Sequence, residues 1–546
     1  MTDLGTQPST VANPVLPGFH PDPSILRVDG YYYIATSTFE WFPGIRLHRS
    51  RDLARWEPIG FALTDPDRLP LRGVPDSGGV WAPSLSRHGG RFWLTYAVVH
   101  TTRGAFRDLD VFVTTAESID GPWSEPIHAG SGGFDPSLFH DEDGRHWLVN
   151  MSWDARPDRA SFAGIVLQEF DAERGGLVGP RRLVFARDEL VEGPNIYRRD
   201  GWYYLMLAQG GTGWNHGILM TRSRELTGPY EADPAGSLLT SRDDLAVRLQ
   251  KAGHGELVET PDGRWYLVHL ASRPVPTPRG RRSILGRETC IQQVEWTADG
   301  WLRLAQGGHW PADRFTPPRL SADDPAAGAR DEDTTGPIDV RRDDFAGPRL
   351  SQHWQSLREP IAEDWASLRE RPGWLRLRGR HSLQSRFGQS LLAQRLTCTR
   401  AKVSTRVHCT PEQPGQRAGL VCWYNVTGYY YLAIAHDEAG RHLVLCACDG
   451  EAYTEQRVDL DVSAWPQVHL SAVFEDAVLA FSVSPDGSAW LRVGPVLDAG
   501  ILSDDHGPVL RFTGAFVGVA AQDPLTASWT ADFAYFRMET ESGSDC

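Results

Sequence analysis

The stretch from Asp22 to Ile34 reads DPSILRVDGYYYI and decides the fold, because its pattern recurs four more times in the first half of the chain. The further copies are APSLSRHGGRFWL from Ala82, DPSLFHDEDGRHWL from Asp135, EGPNIYRRDGWYYL from Glu192 and HGELVETPDGRWYL from His254. Each copy is a short apolar run, a glycine turn and an aromatic-rich run, which is the signature of a β-hairpin. Five such units, with turn glycines about 54 to 62 residues apart, predict five four-stranded blades around a central axis.

The second half of the chain has a different pattern. Residues 321–340 are polar and rich in Ala, Asp, Gly and Pro, so they are predicted to form a linker. Beyond them, strand-like runs such as Ala418–Tyr424, Tyr429–Ile434 and Val468–Phe474 recur at short spacing with turn signals between them, which favours a β-sandwich. We therefore predict an all-β protein: a five-bladed β-propeller at residues 1–320, a linker at 321–340, and a jelly-roll or concanavalin-like β-sandwich at 341–546.

Composition narrows the class of protein. The 55 Lys and Arg residues against 70 Asp and Glu residues give a formal net charge of -15, which argues against a nucleic-acid partner. The first ten residues lack the basic and apolar regions of a signal peptide, and no apolar run approaches the length that spans a membrane. The seven cysteines show no paired C-x-x-C spacing, which is typical of a reducing compartment. We expect a cytoplasmic protein with no membrane contact.

Polar residues recur where the innermost strand of each blade begins, and they would form a ring around one mouth of the propeller. The predicted ring consists of Asp22, Trp81, Asp135, Glu192 and His254. An Asp before Pro-Ser can simply cap a turn, but three carboxyl groups at one small funnel are costly unless a site needs them. In glycoside hydrolysis, one carboxylic acid protonates the leaving oxygen while a carboxylate opposite activates water or attacks the sugar. The lower intrinsic pKa of aspartate suits the base, and that of glutamate suits the acid.

Longer motifs carry a family resemblance. Asn13–Ser24 reads NPVLPGFHPDPS, Tyr32–Gly44 reads YYIATSTFEWFPG, and Phe512–Gly518 reads FTGAFVG. Together with Gly79–Pro83, Phe134–Ser137, Glu192–Pro194 and Leu285–Thr289, they resemble the β-xylosidase branch of glycoside hydrolase family 43. The resemblance implies a propeller whose active-site pocket is closed by the sandwich. It also implies an inverting, exo-acting enzyme that releases D-xylose from the non-reducing ends of β-1,4-xylooligosaccharides.

The resemblance assigns roles to the three acids. Asp22 corresponds to the general base, Glu192 to the general acid, and Asp135 to the residue that tunes the pKa of the acid. An inverting mechanism predicts that the base and the acid stand roughly 6.5–9.5 Å apart, with room for a water.

Sugar contacts follow from the same resemblance. Phe39, Trp81 and Trp153 resemble aromatic walls of the terminal-sugar pocket, and Arg287 resembles an arginine that hydrogen-bonds sugar hydroxyls near the base. Phe516, with Phe512 as the second choice, would be the wall that the sandwich contributes. The chain has 20 Trp residues, and packing in β-sheets accounts for most of them; for Trp153 in particular, core packing is an open alternative.

His254 is expected to bind substrate or form hydrogen bonds. No cofactor is required, but some members of the family place a calcium ion beneath the active site with a histidine at this position, so calcium at His254 stays open, although calcium prefers oxygen ligands.

Two other functions remain open at this point. A side activity on α-L-arabinofuranosides, or a dedicated α-L-arabinofuranosidase, uses the same scaffold and a similar sugar. A non-catalytic carbohydrate-binding propeller needs the aromatic residues but has no use for an acid and a base on opposite sides of a glycosidic bond. Similar enzymes are often homo-oligomers, so a dimer or a tetramer is a further expectation.

Overall fold

The computed structural model describes residues 10–318, 338–508 and 511–541, and nearly every element in these ranges is a β-strand. The helical element of the described ranges is a short 3₁₀ turn at Ala499–Leu502. The all-β prediction is therefore confirmed. Nowhere in these ranges is a helix long and apolar enough to cross a lipid bilayer.

The first half of the chain folds into five four-stranded antiparallel sheets, which we number blades 1 to 5. Their strands, in chain order, are Ser24–Val28, Tyr31–Thr36, Gly44–Ser50 and Glu57–Leu63; Gly79–His88, Arg91–Val99, Leu109–Ala116 and Ile127–His128; Ser137–His140, His146–Trp153, Phe162–Asp171 and Gly176–Phe185; Val191–Arg199, Trp202–Gln209, Gly217–Ser223 and Glu231–Thr240; and Gln250–Glu259, Trp265–Ser272, Glu288–Trp296 and Leu302–Leu304. The first strand of each blade contacts the first strand of the next, and that of blade 5 contacts that of blade 1. The five sheets thus form a closed ring, as a five-bladed propeller requires.

The repeated glycine turns close the first hairpin of each blade. In blade 1, Val28 pairs with Tyr31, and the two residues between them, Asp29 and Gly30, have φ angles of 50° and 78°. Two successive residues with positive φ define the turn type that matches the twist of a hairpin, and Asp-Gly is a preferred sequence for it. The Asp-Gly signal in the sequence therefore sets the register of the first strand pair of the blade.

The ring is closed by the N-terminal segment. Val11–Ala12 pairs with Arg314–Phe315 after blade 5. The side-chain amide of Asn13 donates to the carbonyl oxygens of Ile291 and Ala312, at 2.8 and 2.9 Å. A two-stranded hairpin, Val275–Thr277 with Gly280–Arg282, is inserted within blade 5.

The second half of the chain forms two packed antiparallel sheets, as predicted for a β-sandwich. The strands of the larger sheet are Ile338–Asp343, Ala366–Ser367, Leu375–Arg378, Arg400–His408, Val468–Glu475, Val478–Ser484, Leu491–Asp498 and Thr530–Glu541, and those of the smaller are Ser390–Arg395, Arg417–Asn425, Gly428–Asp437, Gly440–Asp449, Ala452–Arg457 and Phe516–Gln522. Most of the predicted linker at 321–340 lies outside the described residues. Its last three residues already belong to the strand Ile338–Asp343, which pairs with Thr530–Glu541.

The sandwich is joined to blade 1 by backbone pairing. The short strand Trp41–Phe42 pairs with Ser356–Leu357 of the sandwich. The Trp41 ring is fully buried there and stacks on Phe516, with ring centroids 3.8 Å apart and 15° between the planes. This junction places the loops of the sandwich over the mouth of the propeller.

Candidate active site

Each blade has a residue with positive φ near the beginning of its innermost strand. The residues that match in the five blades are Asp22, Ala82, Asp135, Gly193 and His254, with φ between 34° and 56°. Trp81 and Glu192 each lie one residue earlier, so the predicted ring was wrong in treating them as equivalent to Asp22 and Asp135. In blades 2 and 4 the ladder continues to Trp81 and Glu192, and its register shifts immediately after them. Because of this shift, Trp81 and Glu192 reach the mouth of the propeller from the repeat position one residue before that of Asp22 and Asp135.

The five blades meet the sandwich at a cavity of about 190 Å³. Its volume is about six times the roughly 30 Å³ that a water molecule occupies in the liquid, which is the scale of one sugar ring. The residues that line it are Asp22, Phe39, Trp81, Arg107, Phe134, Asp135, Trp153, Phe162, Leu190, Glu192, Gly211, Thr212, His254, Arg287 and Phe512. The structure therefore brings all three predicted acids together, with every predicted sugar contact except Phe516.

Asp22 is held by two strong hydrogen bonds. The hydroxyl of Ser37 donates to Oδ2 at 2.6 Å, and Nη1 of Arg287 donates to Oδ1 at 2.7 Å. Both donors favour a carboxylate acceptor, and the bond from arginine is charge-assisted. Asp22 is 5% exposed, so its orientation in the cavity is fixed by these partners.

Glu192 lies in a site that keeps a proton on its carboxyl group. Burial raises the pKa of Glu192 to about 7, the charge of Asp22 acts in the same direction, and Arg287 opposes them. A carboxylic acid with a pKa near neutrality is suited to donate a proton at physiological pH.

Asp135 immediately precedes the innermost strand of blade 3, and Glu192 lies on the innermost strand of blade 4. Burial raises the pKa of Asp135 to about 7, against the opposing charge of His254. The charges of Glu192 and Asp22 raise it further, while a hydrogen bond from the backbone N–H of Gly193 at 3.1 Å lowers it. Because electrostatic coupling is reciprocal, a charged Asp135 raises the pKa of Glu192 in turn.

Arg287 provides positive charge and hydrogen-bond donors beside Asp22, and the imidazole of His254 lies near two of the acids. Nδ1 of His254 is 4.0 Å from carboxylate oxygens of both Asp22 and Asp135. Arg287 contacts Thr212 Oγ1 at 3.2 Å and the backbone carbonyl of Phe512 at 3.0 Å, besides Asp22. Arg287 thus joins the predicted base, a loop of blade 4 and the sandwich.

Aromatic rings form the apolar wall of the cavity. Phe39 stacks with Phe512 at a centroid distance of 6.1 Å, and Trp81 meets Phe512 edge-on at 5.5 Å. Ser77 links Trp81 and Phe512 of this wall by hydrogen bonds. Its carbonyl accepts from Trp81 Nε1 at 3.0 Å, and its hydroxyl accepts from the Phe512 N–H at 3.2 Å. The backbone N–H of Ser77 in turn donates to buried Glu40.

The prediction of Phe516 as the wall supplied by the sandwich was wrong, and Phe512 takes that position. Phe516 begins the strand Phe516–Gln522 and is fully buried between Trp41 and Phe19 at the domain junction. Phe512 precedes this strand in a loop, which leaves its ring half-buried and directed to the cavity.

Sequence reasoning missed several residues on the outer side of the cavity. The guanidinium of Arg107 lies 4.7 Å above the Trp153 ring, and Trp153 Nε1 donates to the carbonyl of Ala105 at 2.9 Å. Trp153 therefore lines the cavity and also anchors the loop that carries Arg107. Phe162, Leu190 and Thr212 complete this side. None of these residues belongs to the repeated hairpin motif, so the repeat provided no signal for them.

The donor set around His254 does not fit a calcium ion. Calcium takes six to eight oxygen ligands, whereas the carboxylates near His254 are bonded to Ser37, Arg287 and Gly193. Within the described ranges, no group of three or more His, Cys, Asp or Glu side chains is arranged to hold a metal ion.

Comparison with known proteins agrees with this geometry. A family model described as "Glycosyl hydrolases family 43" matches residues 11–302, and one described as "Beta xylosidase C-terminal Concanavalin A-like domain" matches residues 342–539. The chain is 46% identical over 537 residues to Xylosidase/arabinosidase 43B of Humicola insolens, covering 96% of this chain and 97% of the relative. It is 42% identical over 542 residues to Xylan 1,3-beta-xylosidase of a Vibrio species, covering 97% and 99%.

A solved structure shows the same likeness over both domains. The crystal structure of xylan beta-1,4-xylosidase from Bacillus halodurans C-125 aligns with a TM-score of 0.91 at 45% identity, covering 97% of this chain and 99% of that one. Since the first family model spans more than half of the chain and the relatives share well over 30% of its residues, the chain belongs to glycosyl hydrolase family 43.

Proposed function

We propose that this glycoside hydrolase is a β-D-xylosidase that releases D-xylose from the non-reducing ends of β-1,4-xylooligosaccharides, with inversion at the anomeric carbon. The observation that supports it is the meeting of Asp22, Asp135 and Glu192 in one sugar-sized cavity that the sandwich covers with Phe512. The relatives named as xylosidases support the choice of sugar.

Asp22 is the general base in this proposal. It removes a proton from a water molecule, whose oxygen forms the new bond to the anomeric carbon. Its two hydrogen bonds, from Ser37 and Arg287, occupy one side of each carboxylate oxygen and set its direction.

Glu192 is the general acid. Its proton passes to the glycosidic oxygen as the bond between that oxygen and the anomeric carbon breaks. Asp135 holds the Glu192 proton through reciprocal charge coupling. The separation of Asp22 and Glu192 that inversion needs stays a prediction.

The shape of the cavity supports attack at a chain end. The propeller floor carries the acids, and Phe512 and Phe39 close one side by stacking. A terminal sugar enters such a pocket, whereas the middle of a long polymer needs an open groove. Arg107 and Trp153 also line the cavity and are placed to contact the substrate.

A side activity on α-L-arabinofuranosides is the second proposal, and the relative named Xylosidase/arabinosidase 43B favours it. We further propose that catalysis needs no cofactor. A homo-oligomeric state and a cytoplasmic location stay predictions.

Proton NMR of xylobiose during its first minutes of hydrolysis tests the main proposal. We expect α-xylose to exceed its share at mutarotational equilibrium, because the non-reducing-end sugar is released with inversion while the other xylose keeps the anomeric mixture of the reducing end. An early excess of β-xylose over its equilibrium share would contradict the mechanism. Because one relative is named as a 1,3-xylosidase, the rates of hydrolysis of β-1,3- and β-1,4-xylobiose are compared in parallel. Turnover of 4-nitrophenyl α-L-arabinofuranoside exceeding that of the β-D-xyloside tenfold would instead identify a dedicated arabinofuranosidase.

A further inference from the structure

A second cavity, of about 210 Å³, lies between blade 1 and the sandwich. The ionisable side chains that line it are three arginines and three histidines: His20, Arg46, His48, Arg341, His353 and Arg395. No Asp or Glu of the described ranges is among its lining residues. We call this space the basic cavity.

The basic side chains of this cavity are buried and their hydrogen bonding is incomplete. Arg46, His48 and Arg395 are 2%, 5% and 6% exposed. Nε of Arg46, Nδ1 of His48 and Nη2 of Arg395 have no hydrogen-bond partner among the described residues. Buried polar groups nearly always have partners, and guanidinium nitrogens can only donate, so the unpartnered nitrogens of Arg46 and Arg395 point to a group that accepts from them.

The buried positive charges of the basic cavity also indicate that an anion binds there. Burial lowers the pKa of Arg46 to about 10, and the neighbouring charge of Arg341 lowers it further. The pKa of Arg395 lies well below its usual value for the same reason, with Arg46 and Arg341 as the neighbouring charges. Burial, with Arg46 and Arg395, also lowers the pKa of His48. Removing like charges from water side by side is unfavourable unless a counter-charge is present.

We propose that the basic cavity binds a phosphate group, from either inorganic phosphate or a small phosphorylated metabolite. Planar guanidinium groups match the tetrahedral oxygens of phosphate and donate in pairs. Arg46 and Arg395 carry two buried positive charges, and a dianion balances both where chloride or acetate would balance one. The size of the cavity, about seven times the roughly 30 Å³ of a water molecule, admits more than the bare ion.

The bound phosphate connects the two domains. Arg46 and His48 lie on Gly44–Ser50 of blade 1, and Arg395 ends the sandwich strand Ser390–Arg395. Nε of Arg395 donates to the carbonyl of Phe19 at 2.6 Å, and the ring of Phe19 is 5.7 Å from that of Phe39 in the active site. Phosphate therefore stabilises the docking of the sandwich onto the propeller next to the sugar pocket.

Isothermal titration calorimetry of the full chain at pH 7 tests the proposal, with phosphate, sulfate, acetate and xylose 1-phosphate at matched ionic strength. We expect saturable binding of one phosphate per chain, a rise of the melting temperature by several degrees, and little response to acetate. Tighter binding of xylose 1-phosphate than of inorganic phosphate would identify an organic ligand. Equal or weaker binding would identify the inorganic ion.

Variants on one strand supply the controls. Arg46→Gln should weaken phosphate binding at least tenfold, whereas Arg49→Gln, which removes a partly exposed arginine bonded to Glu57, should leave it unchanged. Arg395→Gln provides a second charge-removing substitution should Arg46→Gln fail to fold, and circular dichroism checks both. Absence of saturable binding to the wild type, or equal affinity in folded Arg46→Gln or Arg395→Gln, would overturn the proposal. Neither result depends on which glycoside the enzyme cleaves.

Discussion

Nη1 of Arg287 donates a hydrogen bond to Oδ1 of Asp22 over 2.7 Å, and both residues are more than nine-tenths buried. The second nitrogen of the same guanidinium donates to the carbonyl of Phe512 in the sandwich. One side chain thus orients the proposed base and ties it to the domain that covers the pocket. Loss of either hydrogen bond should lower the catalytic activity.

Arg287→Ala is expected to lower kcat/KM for an aryl β-xyloside about 100-fold. A hydrogen bond to a charged group contributes about 1.5–3 kcal/mol, and each 1.4 kcal/mol is a factor of ten. Steady-state kinetics measure the effect. Arg174→Ala, which removes an exposed arginine from a turn of blade 3, is the control, and a variant of Arg287 that kept half of the activity would contradict the assignment.

Glu192→Gln should separate substrates by their leaving groups. Hydrolysis of xylobiose should fall by about 10²–10⁴, the usual contribution of a general acid. A dinitrophenyl xyloside should lose far less, because its leaving group departs without a proton. Asp22→Asn should impair both substrates alike. Equal losses on both substrates for Glu192→Gln would show that Glu192 is not the acid.

The pH profile of kcat/KM should fall on its alkaline side as the pH passes about 7. Burial raises the pKa of Glu192 to that value, and the acid must be protonated to act. Asp135→Asn removes a neighbouring negative charge, so the alkaline limb should move to lower pH. Asp200→Asn, in the exposed turn of blade 4, should leave the profile in place. An alkaline limb that stays unmoved in Asp135→Asn would refute the coupling.

Phe512 and Phe516 should respond differently to truncation. Phe512→Ala is expected to raise KM about tenfold with little change in Tm, because its half-buried ring lines the pocket. Phe516→Ala should cost about 3–5 kcal/mol of unfolding free energy, as large buried aromatics do, since its ring is fully enclosed. Urea unfolding and kinetics on both variants make the comparison. A larger KM effect from Phe516 would restore the prediction made from sequence.

Glu40→Gln should change how stability depends on pH. Burial raises the pKa of Glu40 to about 8, against an opposing charge on Arg358. A folded-state pKa above the unfolded value means that the native state is favoured by the proton at low pH, and this contribution is lost as the pH rises towards 8. The free energy of unfolding of the variant, relative to that of the wild type, should therefore rise by at least about 1.4 kcal/mol from pH 5.5 to pH 8.5, the equivalent of one pKa unit.

Urea unfolding at the two pH values measures this gain. Glu173→Gln, at an exposed turn of blade 3, is the matched control and should show no such trend. A stability difference for Glu40→Gln that is the same at both pH values would be inconsistent with a buried, protonated carboxyl group.

The architecture of the propeller was predictable because its determinants are local. Each blade repeats a hairpin whose turn, such as Asp29-Gly30, needs only adjacent residues to form. The three acids were found for the same reason, because they adjoin the repeated motif. The one-residue offset of Glu192 depends on a shift in the pairing of its strand with the next, which no single strand encodes.

Contacts between blades and between domains could not be predicted from the sequence. Phe512 and Phe516 lie four residues apart in one motif, and only the docked loop decides which ring reaches the pocket. Arg107 is placed by its stacking on Trp153. Arg46 and Arg395 are far apart in the chain, and their shared cavity exists only when the two domains meet.

The pairing of Trp41–Phe42 with Ser356–Leu357 limits how this enzyme can be engineered. A shortened version that kept only the blades would leave the backbone edge of Trp41–Phe42 unpaired and the Trp41 indole facing water, which invites self-association. Fusion partners or immobilisation tags should therefore leave the whole chain intact, and new substrate preferences are better sought in the loop around Phe512 than by exchanging the entire second domain.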